Sequence, residues 1–258
     1  MPAHVDRSDP TQRAVSPPAE DTPPPLEGLH GPVTLERDLA RLSRSLHRQD
    51  TVEKVLDAIL AQALVMIEGA QRGSIHLLGR RRQAIPAVGT DDVARGVDAL
   101  QDKLDEGPCL DVLHLRSIVR SDDLARERRW PALATEAPAT WGVRSVLSLR
   151  LYVEDDKPLG GLNLFSHEVA AFSDRARETG LAFSAIAATA LSAVRRSENL
   201  SLALHHRDVI GQAKGVLMER LHVDADEAFA LIAKISQQRN VKLHVLADEV
   251  ARTGSLGT

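Results

Sequence analysis

The chain carries a single cysteine, Cys109, among 258 residues. That excludes an internal disulfide and any centre built on two thiolates, and it fits a reducing compartment. No uninterrupted apolar run approaches the roughly 20 residues that a membrane-spanning helix needs. The N-terminal MPAHVDRSDP has no apolar signal-peptide core, so the protein is expected to stay in the cytoplasm, away from membranes. Excess positive charge is missing too. The net charge is −4, which argues against indiscriminate binding of polyanions. Residues 197–258 hold seven Lys/Arg (Arg207, Lys214, Arg220, Lys234, Arg239, Lys242, Arg252) against eight Asp/Glu, so composition alone does not mark this part as nucleic-acid binding. Proline is sparse after residue 33, because eight of the thirteen prolines lie in 1–33.

What remains is 43% hydrophobic, enough for folded cores in one or two domains. The proline-rich stretch 1–33 has too little apolar surface to offset its ordering entropy and reads as a disordered tail. Leu35, Leu39, Leu42 and Leu46 then form one stripe of an amphipathic helix. Asp50 and Glu53 make a D-x-x-E capping box for a second helix, with Val52, Val55, Leu56, Ile59, Leu60 and Ala63 as its buried face. Residues 74–79, 83–89, 117–122, 143–154 and 159–166 read as strands, with a helix at about 91–104 among them and a hairpin turn at Asp155, Asp156 and Lys157. Helices, then an antiparallel sheet, then helix again make an α+β fold. From Ser173, a possible cap, a proline-free helix runs from about 174 to 221. Its apolar stripe is Leu181, Ile186, Leu191, Val194, Leu200, Leu204, Ile210, Ala213 and Leu217, and 195–199 reads either as a break or as a polar spacer. A helix of roughly 70 Å exceeds the needs of one small domain, and a parallel dimeric coil is expected, making a homodimer.

The motifs DEGPCLDVL (105–113), RRWPAL (128–133), GVRSVLSLRL (142–151) and LGGLNLFS (159–166) resemble a GAF domain, of the type found upstream of ANTAR modules in actinobacterial regulators. The resemblance implies a sensor unit over 34–195, an antiparallel sheet flanked by helices with a pocket for a small-molecule ligand. That ligand stays unknown, and no cofactor is identified. The asparagine-lysine-x-x-aspartate signature of cyclic-nucleotide binders is missing, and Asn163 reads as a strand-end turn residue. Cys109 follows Gly107 and Pro108 at an expected helix start, where the dipole would lower its pKa and make it a sensor thiol; otherwise it is a small buried hydrophobe. His205 and His206 point about 100° apart on a helix and cannot chelate one ion together, so no metal site is expected. Asp122 and Asp123 lack the other strands of a phosphoryl receiver. No nucleophile–base pair supports an enzyme.

After residue 207 the chain reads RDVIGQAKGVLMERLHVDADEAFALIAKISQQRNVKLHVLADEV. Asp224 and Glu227 form a capping box, Ala228, Leu231, Ile232 and Ile235 face inward, Asn240 ends that helix, and Leu243, Leu246, Ala247 and Val250 are the buried side of the next. Gly211 and Gly215 suggest close approach of another helix around Ala213. The segment 197–252 resembles the ANTAR domain, an RNA-binding antitermination module. This implies an all-α three-helix output unit over 196–254 that binds RNA hairpins in nascent mRNA. Lys214, Arg239 and Lys242 are the expected RNA contacts, supported by Arg207, Gln212 and His244: cations hold phosphates, while amide and imidazole groups meet bases splayed from a loop. The alternative is a DNA-binding helix-turn-helix transcription factor, disfavoured by Asp248 and Glu249 on its recognition helix.

Overall fold

The structure is a computed structural model and describes residues 32–79, 84–114, 116–154 and 157–255. Most of the proline-rich stretch and the turn residues Asp155 and Asp156 fall outside these. Helices α1 (Pro32–His47) and α2 (Val52–Met66) precede strands β1 (Arg72–Leu78) and β2 (Ala84–Gly89). Helices α3 (Asp92–Leu104) and α4 (Pro108–His114), strand β3 (Ile118–Ser121) and helix α5 (Pro131–Trp141) follow. Strands β4 (Ser145–Glu154) and β5 (Lys157–Ser166) complete a sheet, and helices α6 (Asp174–Leu221), α7 (Ala225–Arg239) and α8 (Leu243–Thr253) end the chain.

The sheet order is β2-β1-β5-β4-β3, and every paired neighbour is antiparallel. Strand alternation sends two sets of side chains to opposite faces. Ile75, Leu147, Leu149, Leu151, Leu162 and Leu164 pack with α1, α2 and the first part of α6 in one core. Val119, Val146 and Phe165 join α3 and α5 in a second. Gly180 lets α6 lie flat on the first face, since a Cβ there would stand 2.9 Å from Leu149 Cδ1. A third core joins Val209, Ala213 and Leu217 of α6 to Ala228 and Ile232 of α7 and to Leu246, Ala247 and Val250 of α8. The fold is thus α+β: a GAF-type antiparallel sheet flanked by helices, a long connecting helix, and an all-α three-helix end.

Several local expectations change. Pro32 and Val33 begin α1 rather than ending a tail. The cap of α2 is Thr51, whose hydroxyl accepts from Lys54 N–H; Asp50 instead pairs with Lys54 at the exposed surface, 2.7 Å away. The run 195–199 does not break α6, which is helical throughout. Glu198 there accepts the Val52 amide at 2.8 Å, so it joins α6 to the start of α2. The stripe of α6 is also corrected. Leu191 and Leu200, nine residues apart, are about two and a half turns apart and face opposite sides. Leu191 is buried, whereas Leu200 and Leu204 are 60% and 46% exposed. No side chain between 195 and 208 is buried. Gly211 and Gly215 have nothing within 4 Å of an added Cβ, so no helix among the described residues approaches them. The capping box of Asp224 and Glu227 is present on α7, and Asn240 ends that helix in the left-handed conformation. Among the described residues no helix is long and apolar enough to cross a membrane.

Candidate functional site

Two places in the molecule gather polar chemistry. The first lies under α3 and α4, on the sheet face opposite α6. Strand register aligns Ser74 of β1, Asn163 of β5 and Ser148 of β4 in one row. All three are fully buried, beside His76, Asp98, Gln101 and Cys109. Ser148 Oγ–H donates to Asn163 Oδ1 at 2.7 Å. The Asn163 amide nitrogen lies 3.4 Å from Ser74 Oγ, from His76 Nδ1 and from Asp98 Oδ1. Asn163 is therefore the hub of a buried network in the middle of a strand, not a turn residue. Gly161, one row further along β5, leaves space for α4, since a Cβ would meet Val112 Cγ2 at 3.2 Å.

Burial sets the charge state of this cluster. Desolvation pushes Asp98 up to about 8 and outweighs the bonds from Ser74 and Asn163. Desolvation also lowers the His76 imidazole. Their 3.7 Å approach is thus a meeting of a neutral carboxyl and a neutral ring rather than an ion pair. Gln101 Oε1 accepts the Cys109 amide at 2.9 Å. His76 Nε2 and Gln101 Nε2 are buried with no partner among the described residues. Two unmet polar atoms in a core are costly, on the order of 1–3 kcal/mol each, and mark where a bound polar molecule or water would be held.

Cys109 does lie in the first turn of a helix, α4, but it is 2% exposed. Burial pushes its thiol up, with nearby Asp98 adding to the effect, so desolvation overrides the dipole and the sulfur is a protonated thiol. The acidic pair Asp122 and Asp123 is occupied: Asp122 pairs with Arg120, and Asp123 pairs with Arg144 and caps the 3-10 turn at Leu124–Arg126.

The second place is the three-helix end. Arg207, Gln212 and Lys214 lie on α6, Arg239 is the last residue of α7, Lys242 caps α8, and His244 is in its first turn. The structure gathers Arg239, Lys242 and His244 at the α7–α8 corner, with Arg239 4.0 Å from Glu249. Arg207 and Lys214, seven residues apart, share a side of α6 turned away from Val209, and Gln212 lies on a flank. His244 is half-buried rather than exposed, its ring stacked on His206 with centroids 3.7 Å apart. Desolvation, then the nearby His206, Lys242 and His205, hold its imidazole below the ordinary value. Ser74, His76, Asp98 and Gln101 are not singled out from the sequence: a polar 74/76 alternation in β1 is the signal for the first two, and Asp98 and Gln101 on α3 carry none of their own.

Known proteins show the same two parts. The GAF domain family model matches residues 49–192, and the ANTAR domain model matches residues 198–250. Comparison with curated proteins finds no match. Among solved structures, the GAF domain from an Acinetobacter phosphoenolpyruvate-protein phosphotransferase is 18% identical, covering 65% of this chain and 97% of that one with a TM-score of 0.50. The Stigmatella aurantiaca phytochrome photosensory core module is 11% identical, covering 85% of this chain and 47% of that one at a TM-score of 0.53. A bacteriophytochrome from R. palustris is 10% identical, with 81% and 48% coverage and a TM-score of 0.52. The chain spans about half of each phytochrome, and these likenesses are of fold alone. The sequence belongs to the GAF domain family and carries a C-terminal ANTAR domain.

Proposed function

We propose that the chain is a non-catalytic cytoplasmic regulator, in which a GAF sensor over 34–195 controls an ANTAR output over 196–254 that binds tandem RNA hairpins in nascent transcripts. Binding would stabilise an antiterminator over a terminator, so that transcription continues. The observation that carries this reading is the unbroken α6. Its first half belongs to the sheet core and its last turns to the three-helix core, so any tilt or rotation induced at the sheet reaches α8 through one rigid element. A small polar ligand that satisfies His76 Nε2 and Gln101 Nε2 is the natural input. Paired hairpins call for paired output units, and the exposed Leu200 and Leu204 on the outer side of α6 suit a seam with a second copy. Arg239, Lys242 and His244, joined by Lys214, Arg207 and Gln212, supply the RNA contacts, with Cys109 packing beneath the sensor rather than sensing oxidants.

Fluorescence anisotropy of the full chain with a tandem-hairpin RNA and with duplex DNA, across a salt series, tests the reading. Binding to the hairpins that is lost when loop bases change is the expected result. Equal or stronger binding to DNA would replace it with the helix-turn-helix alternative.

A further inference from the structure

The junction between α6 and the start of α8 holds a cleft of about 230 Å³, lined by His205, His206 and Val209 of α6 and by His244, Val245 and Asp248 of α8. Its composition is unusual for a helix surface. The His206 and His244 rings stack face to face, 3.7 Å apart and 13° from parallel. The His205 ring stands 6.3 Å from that of His206, tilted by 50°. Val209, 8% exposed, is the floor, and Val245, 49% exposed, is an apolar rim. Asp248, four residues after His244 and so on the same side of α8, adds an exposed carboxylate. Among the described residues Asp248 forms no ion pair, whereas its neighbour Glu249 lies 4.0 Å from Arg239.

A metal ion does not explain the cluster. Stacked rings aim their nitrogens alongside one another rather than at a common point, and no group of three ligating side chains is arranged to hold an ion among the described residues. A phosphate does not suit it either, because the carboxylate would repel it. Aromatic faces, an apolar floor and one carboxylate fit a flat heterocycle that carries hydrogen-bond donors on its edge. Imidazole rings are among the platforms on which unstacked RNA bases pile, and such bases are read on their Watson–Crick edges.

We infer that this cleft takes one unpaired guanine from the RNA loop, an inference that rests on the RNA-binding reading above. Guanine alone presents two adjacent donors, N1–H and the 2-amino group, which match the two oxygens of the Asp248 carboxylate. Adenine and cytosine offer one amino donor beside an acceptor nitrogen, and uracil sets its single N–H between two carbonyl oxygens. In each of those the carboxylate meets a lone pair. The six-membered edge reaches Asp248 while the purine plane extends the His206–His244 stack. Lys242, just before α8, is placed to meet the phosphate of the same nucleotide.

The test uses the full chain and tandem-hairpin RNAs whose loops hold a single guanine, or inosine or adenine in its place. Wild-type protein should favour the guanine loop over the adenine loop by about tenfold or more, with inosine, which lacks the 2-amino group, between them. Asp248→Asn should lose this preference yet keep its salt-dependent affinity for the adenine loop, because the exposed side chain leaves the fold intact. His206→Ala should weaken guanine and inosine loops alike, with its melting temperature reporting whether α6 still packs on α8. If wild type binds hairpins but does not distinguish guanine from adenine, or if Asp248→Asn keeps the preference, the guanine site is wrong while RNA binding stands. If wild type binds no hairpin at any salt, the RNA-binding reading fails and the site falls with it.

Discussion

At the scale of single residues the molecule is governed by desolvation. Asp98 shows it most clearly, because its folded pKa of about 8 lies far above its unfolded value of 3.8. The folded state therefore holds a proton that the unfolded chain releases, so the associated stability is complete below about pH 4 and drains away as pH rises towards about 8. Relative to Asp98→Asn, wild-type stability should fall by up to about 1.4 kcal/mol per pH unit across that window. His76, with its lowered pKa, works in the opposite sense at the acid end, so the difference between the two proteins isolates the Asp98 contribution. Urea titrations from pH 4.5 to 8.5 would measure it, and parallel curves for both proteins would refute the buried neutral carboxyl. Cys109 follows the same physics: thiol reagents should modify it orders of magnitude more slowly in native protein than in urea, since a buried thiol is neither ionised nor reachable. Its helix position was readable from Gly107 and Pro108. Its burial was one of two readings the sequence left open, and the packing of α4 on the sheet decided it.

At the scale of elements, capping and glycine content decide local stability. Thr51 caps α2 through its hydroxyl, so Thr51→Ala should cost about 1 kcal/mol. Asp50→Ala should leave the melting temperature nearly unchanged, since its pair with Lys54 is solvent-exposed. The melting temperatures of the two variants distinguish the observed cap from the D-x-x-E pattern. That pattern misled because two acceptable cap residues stand side by side, and only the extended backbone of Thr51 selects one. On α6, Gly211 and Gly215 face open space, so replacing either with Ala should stabilise the three-helix end by about 1 kcal/mol, readable in denaturant unfolding. A loss instead would mean that a second chain packs against these glycines.

At the scale of the whole molecule, α6 is the feature that matters. Between the two cores it runs for about 14 residues, roughly 20 Å, with no buried side chain, a long stretch for an isolated helix to cross alone. If a second copy covers Leu200 and Leu204, Leu200→Arg with Leu204→Arg should yield a monomer by light scattering. Affinity for tandem hairpins should then drop about a hundredfold or more, while single-hairpin affinity stays nearly unchanged, because linked sites gain from effective concentration. An unaltered mass would remove the dimer from the proposal.

The sequence by itself determined most of the helices and strands and their order, the proline-free run from 174 to 221 and the two family resemblances, because periodicity, caps and turns act over a few residues; it left α5 unread and the continuity of α6 at 195–199 open. Tertiary structure decided which of those residues meet. Ser74, His76, Asp98, Gln101 and Asn163 come from three separate elements, and only strand register and the seating of α3 bring them into one buried cluster. His206 and His244 stand 38 positions apart in the numbering, and nothing local says that their rings stack. Burial and long-range contact set charge state and recognition, and both belong to the folded whole.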